Sequence, residues 1–226
     1  MTHVYSKVMK LSDYLNLKVP IGILNLFEKK LMTEGIPSLK QHSHRMWEYA
    51  TVLKAMHDLF NSDGVKVLDV GGAGALLSAT LAHLGHDVTQ IDPSEDGRLM
   101  VAAQNCCVNN PITYIKQDFL TASDSKYDAV LCISVIEHVH NDLDFVRKLA
   151  ENVDRGGLLV ITTDFSPSGE ALSSWHLRTY NEQSLLALGS MLIDMGFTYL
   201  NNNPSYKNFS ADVYDWTFAS LIMIKE

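Results

Sequence analysis

Val67-Leu-Asp-Val-Gly-Gly-Ala-Gly-Ala-Leu-Leu-Ser78 decides how the rest of the chain is read. An apolar run ends in a cluster of glycines, and helical spacing through Leu76, Leu77, Leu81 and Leu84 begins directly after it. Glycine lets a backbone come close to a ligand and adopt positive φ. The exposed N–H groups that open the next helix then face whatever sits in the turn. Such a turn alone serves any tight strand-to-helix connection, so its meaning depends on what surrounds it.

Downstream, strand and helix patterns alternate. Strands are expected at Val65–Val70, Asp87–Asp92, Ile112–Gln117, Tyr127–Ile133 and Leu158–Thr163, with helices after the second strand to about Asn109 and over Asp142–Val153. Strands that each feed a helix predict an α/β fold with a mostly parallel sheet, covered on both faces and binding ligands beyond the strand C-termini. Asn181 is the expected N-cap, with Glu182 in the first turn, of a helix ending at Gly196. Strands near Phe197–Leu200 and Trp216–Lys225 frame a polar loop and suit an antiparallel pair. Upstream, residues 1–60 read as helical, and Met46, Ala50, Leu53, Met56 (or His57) and Phe60 share one helix face. Asn61-Ser-Asp-Gly64 marks a boundary, giving a helical cap over residues 1–62 and the main domain over residues 63–226.

Carboxylates at the expected strand ends narrow the chemistry. Asp92 follows Asp69 by 23 residues and can accept both ribose hydroxyls of a nucleoside. Asp118, with Phe119 beside it, can bond an adenine amino group and pack on its ring. Singly, each Asp also suits a turn; together, at successive strand ends, they describe a nucleoside site. A dinucleotide fingerprint needs a third glycine where this chain has Leu77, which speaks against a nicotinamide cofactor.

Composition sets outer bounds. A formal net charge of −8 argues against an extended nucleic-acid surface, though not against a local basic pocket. No apolar run reaches the roughly 20 residues needed to cross a bilayer, and no signal peptide is read in the first residues, so a cytoplasmic protein is expected. Cys106, Cys107 and Cys132 form no Cys-x-x-Cys pair and read as buried thiols. No metal site is expected, because Glu137, His138 and His140 lack a spacing that converges on one ion.

In order, the Leu-Asp-Val-Gly loop, Val88-Thr-Gln-Ile-Asp-Pro-Ser94, Gln117-Asp-Phe119, Tyr127–Val139, Arg155–Ile161 and His176-Leu-Arg-Thr-Tyr180 resemble a class I S-adenosylmethionine-dependent methyltransferase. The resemblance implies a doubly wound, Rossmann-like, seven-stranded sheet whose last strand is antiparallel, with S-adenosylmethionine as cofactor and S-adenosylhomocysteine as product. It implies that Asp69, Gly71, Gly72 and Ala73 shape the loop near the methionine part. Asp92 and Pro93 would then hold the ribose, Asp118 and Phe119 flank the adenine, and Ile133 and Ser134 line the sulfonium side. The chain departs from the family at Ala73 and Ala75, where glycines are usual. Arg45 and Tyr49, in His44-Arg-Met-Trp-Glu-Tyr49, are candidates to close over the cofactor carboxylate; Trp47 is expected to pack on the sheet.

An oxygen acceptor must lose its proton, which a histidine near neutral pKa can take. His138 is a candidate base or a structural residue of the Glu-His-Val turn. His176, between Trp175 and Arg178, is a candidate base, a substrate ligand or a surface residue. Tyr206, Tyr214 and Trp216 among asparagines suit a polar acceptor. The expectation is O-methylation of a small polar metabolite or glycan unit. The alternatives are a cofactor-binding module without catalysis and a nicotinamide-dependent oxidoreductase. No feature of the sequence specifies an oligomeric state.

Overall fold

The computed structural model describes residues 5–10, 16–38, 43–60, 62–170, 177–201, 203–206 and 216–226. The chain divides into two compact units, residues 12–123 and residues 1–11 with 124–226.

In the unit of residues 12–123, helices α1 (Lys18–Thr33) and α2 (Ser43–Phe60) precede β2 (Lys66–Val70), α3 (Leu76–His83), β3 (Asp87–Ile91), α4 (Glu95–Gln104) and β4 (Thr113–Ile115). The three strands pair in parallel in the order β2-β3-β4. Residues Leu76–Ala82 of α3 are all buried, the hydroxyls of Ser78 and Thr80 being hydrogen-bonded to Asp69 and to the Leu76 carbonyl. Helix α1 buries Leu24, Phe27, Glu28 and Leu31, the i, i+3, i+4, i+7 stripe, and packs on α2 and α3. On α2 the expected face is buried through Met46, Ala50, Leu53 and Met56, with His57 exposed; Trp47 is fully buried.

In the other unit, β5 (Tyr127–Ile133), α5 (Asp142–Asn152), β6 (Val153–Phe165), α6 (Glu182–Asp194), β7 (Phe197–Tyr199) and β8 (Thr217–Lys225) follow in chain order, and a two-residue strand β1 is formed by Lys7–Val8. Strand β6 runs parallel to β5, and β8 runs antiparallel to β6, β7 and β1. Helix α6 opens with a reciprocal capping box between Asn181 and Ser184, so the expected cap is present. Helix α5 is capped by Asn141, carries Asp142 and Asp144 in its first turn and buries Phe145, Val146, Leu149 and Ala150.

The fold is the expected α/β one, mostly parallel with an antiparallel β8, and all seven expected strands form. Three local readings change. Lys7–Val8 is strand and not helix, paired with Ser220 and Ala219. The helix after β3 stops at Gln104, because the Asn105 side chain bonds both the N–H and the carbonyl of Ile112 and captures the chain entering β4. Cys106 and Cys107 therefore lie in a turn, where Cys106 is exposed and Cys107 buried. Among the described residues no helix is long and apolar enough to cross a membrane.

Candidate functional site

Parallel register aligns the strand ends. Val70 lies beside Ile91, and Ile91 beside Ile115, so the chain leaves β2, β3 and β4 along one rim. Gly71 N–H donates to the Ile91 carbonyl at 2.9 Å, and Asp92 N–H donates to the Ile115 carbonyl at 3.1 Å. The glycine loop and Asp92 are thus neighbours, and Asp118 lies three residues past the end of β4.

Below the rim a buried polar clamp sets the shape of the loop. Asp69, 2 % exposed, accepts from Ser78 Oγ at 2.5 Å and from Gln90 Nε2 at 3.2 Å through one oxygen, Oδ2. Gln90, fully buried, also accepts from Gly74 N–H at 3.2 Å, and Gln104 donates to the Gly74 carbonyl at 2.7 Å. Burial pushes the Asp69 carboxyl up from 3.8 to about 6; the bonds from Ser78 and Gln90 oppose the rise, and the charge of Asp92 adds to it. A Cβ on Gly72 would clash with Asp69 Oδ2 and stand 2.7 Å from Gln90 Nε2, so glycine is what fits there without a shift of these side chains. Ala73 sits at φ +43°, a left-handed position that glycine adopts without strain. Ala75, at φ −61° and ψ 150°, is the relaxed N-cap of α3.

Asp92 is half-buried, and among the described residues only its Oδ1 is engaged, accepting from Ser94 N–H at 2.7 Å. This bond turns the chain through exposed Pro93 into α4, whose N-cap Ser94 accepts from Gly97 N–H. Asp118 is exposed and caps a single 3-10 turn, with its Oδ1 accepting from Leu120 N–H; Phe119 is 5 % exposed. On α2, Arg45 pairs at 3.3 Å with Glu48, which is fully buried. Burial raises the Tyr49 hydroxyl pKa, and the charges of Arg45, Glu48 and Asp69 act on it, so this end of α2 lies within electrostatic reach of the clamp.

Residues 42–201 match the methyltransferase domain family, well over half of the chain. The chain belongs to that family. It carries a class I S-adenosylmethionine-dependent methyltransferase domain. A ubiquinone biosynthesis O-methyltransferase of Rickettsia bellii is 34 % identical over 103 residues, 44 % of this chain and 42 % of the relative. One from Glaesserella parasuis is 37 % identical over 109 residues, 44 % of this chain and 45 % of the relative. The matched stretch thus spans less than half the length of these curated relatives. Among solved structures, magnesium protoporphyrin IX methyltransferase of Synechocystis PCC 6803 with bound SAH aligns at a TM-score of 0.59 and 21 % identity, over 79 % of this chain and 82 % of that one. N-methyltransferase NodS of Bradyrhizobium japonicum, in complex with S-adenosylhomocysteine, aligns at 0.60 and 16 % identity, over 87 % and 97 %. At such identities the likeness is one of fold.

The remaining methyltransferase candidates lie in the second unit. Half-buried Ile133 ends β5, and Ser134, 6 % exposed at φ +50°, donates its N–H to the Thr162 carbonyl at 3.0 Å. His138 is exposed at the end of a 3-10 turn over Ile136–His138. Its neighbour Glu137 is buried and accepts from Thr163 Oγ1 at 3.0 Å. His176, Trp175 and Tyr214 lie outside the described residues. Tyr206 is buried, and its hydroxyl donates to the Ser220 carbonyl.

Sequence reasoning missed the clamp and one brace. Gln90 had a signal: a long amide in the buried strand Asp87–Ile91 needs a polar partner. Arg178, noted only as a neighbour of His176, pairs with Asp142 at 2.6 Å and donates to the carbonyls of Val139 and His140. The Tyr180 hydroxyl donates to the same Asp142 at 2.7 Å, so the segment after β6 is tied to the start of α5.

Proposed function

We propose that this chain methylates an oxygen atom of a small hydroxyl-bearing molecule, a polar metabolite or glycan unit, using S-adenosylmethionine. The observation that carries this reading is the rim itself. A glycine loop clamped from below by Asp69 and Gln90 stands beside a half-buried carboxylate, Asp92, engaged among the described residues through its Oδ1. That pairing fits an adenosine: Oδ2 of Asp92 accepts from the ribose hydroxyls, and the small loop residues admit the methionine end. The oxygen acceptor follows the curated relatives, which carry O-methyltransferase in their names.

When bound, the cofactor supplies an electrophilic methyl group on a sulfonium sulfur. The chain holds the acceptor in line with it and keeps water out. In this account Asp118 and Phe119 take the adenine, Ile133 and Ser134 the sulfonium side, and Arg45 and Tyr49 the carboxylate end, with residues 1–62 as a cap. His138 or His176 receives the acceptor's hydroxyl proton as the new oxygen–carbon bond forms and the sulfur–carbon bond breaks. Incubation with tritium-labelled methyl donor and a panel of phenols, catechols, sugars and amines tests the reading. Label transferred to hydroxyl compounds supports it; transfer to amines alone, or to none of the panel, contradicts it.

A further inference from the structure

The opposite end of the β2–β3 pair carries a cavity of about 630 Å³, within the size range of small-molecule sites. Asp63 and His86, which line it, precede β2 and β3, whereas the glycine loop and Asp92 follow them. A five-residue strand therefore separates the cavity from the rim, a length of about 16 Å. Its walls come from α1, α2 and α3 and are mainly apolar, through Val19, Ile23, Leu53, Met56 and Leu81.

The polar groups define what fits. His86 is 8 % exposed, and among the described residues its Nδ1 has no hydrogen-bond partner. Native proteins leave few buried polar atoms unpaired, so this nitrogen calls for a ligand group. Burial lowers the His86 pKa, with Asp63 opposing, which favours the neutral imidazole. The other charged lining groups are Lys54, already paired with Asp58 at 2.9 Å, and Asp63. With Lys54 already paired and the Asp63 carboxylate in the wall, the lining disfavours an anion, and exposed His57, with Asn16 and Ser62, adds further hydrogen-bonding groups. A hydroxyl suits His86, because it donates or accepts according to the tautomer.

We infer that this cavity is a second ligand site, separate from the rim, for a compact, uncharged, mainly apolar molecule bearing a hydroxyl group that bonds to His86 Nδ1. Calorimetric titration of the full chain with adamantanol, and separately with adamantane carboxylate, tests it. One equivalent of the alcohol is expected to bind with a Kd on the order of 100 μM, and the carboxylate markedly more weakly. His86→Phe is expected to weaken the alcohol about five- to tenfold, the scale of one lost hydrogen bond. Ile23→Trp, which fills the cavity, is expected to abolish binding while leaving the affinity for S-adenosylhomocysteine unchanged, a check that the variant is folded. Val19→Trp, at a position 74 % exposed, repeats the test with no change to the core. No saturable binding, equal binding in both tryptophan variants, or displacement by S-adenosylhomocysteine would overturn the inference.

Discussion

Gly72→Ala tests the clamp beneath the glycine loop. The added methyl group clashes with Asp69 Oδ2 and stands 2.7 Å from Asp69 Cγ and 2.7 Å from Gln90 Nε2. Both neighbours are buried and hydrogen-bonded, so neither swings aside without breaking the bonds from Ser78 or Gln90 to the carboxylate. Overpacking costs about 1–3 kcal/mol, and a hydrogen bond to a charged group about 1.5–3 kcal/mol. Because the strain is relieved by the same movement that breaks the bonds, the two do not add fully, and a loss of about 3 kcal/mol is expected. At about 2–4 °C per kcal/mol for a chain of this size, Tm falls by about 6–12 °C. The control is Gly22→Ala in α1, where the new Cβ meets nothing within 4 Å. There helix propensity alone acts, and the chain gains about 0.5–1 kcal/mol. Urea unfolding followed by far-ultraviolet circular dichroism, with calorimetric Tm values, reads both. A Gly72→Ala protein that melts with the wild type would refute the clamp.

Three further outcomes are expected. Ala73→Gly relieves the left-handed φ of +43° and stabilises the chain by about 1 kcal/mol in the same unfolding assay; a loss of stability would show that the loop is not strained there. The Asp69 carboxyl, raised from 3.8 to about 6, binds its proton more tightly in the folded state than in the unfolded one. Its contribution to stability is therefore full below pH 4 and lost as pH rises through about 6, some 3 kcal/mol at most. Asp69→Asn should flatten the stability profile across that window, and an unchanged profile would place the titrating group elsewhere. Asn181→Ala removes the capping box of α6 and should cost about 1 kcal/mol by urea unfolding; no change would mean that the last helix is held by packing alone.

The α/β frame was legible because its signals are local. The continuous apolar run Ala129–Ile133 and the mainly apolar Val67–Val70, each ending in turn residues, predict buried parallel strands, and Asn181 with Glu182 in the first turn marks a helix start. The position of Asp92 was likewise readable, because a strand end is a sequence feature. The Asp69–Gln90 contact was not, since it depends on the register that sets Asp69 opposite Gln90 across two parallel strands. Strand β1 was misread for a related reason: two residues carry no period, and Lys7 and Val8 become strand only where β8 offers an edge. Asn105 ends α4 through Ile112, a partner seven residues away across the turn, and no helix-stop rule written for adjacent residues finds it. The tie from Arg178 to Asp142 spans a helix, a strand and a loop, so it too belongs to the folded chain.

The central claim is that this rim grips an adenosine through Asp92, and calorimetric titration with S-adenosylhomocysteine of the wild type and of Asp92→Ala addresses it most directly. The account predicts one saturable site in the wild type and a loss of about 1–3 kcal/mol of binding free energy in the variant. A wild type that does not bind, or a variant that binds as tightly as the wild type, would contradict it.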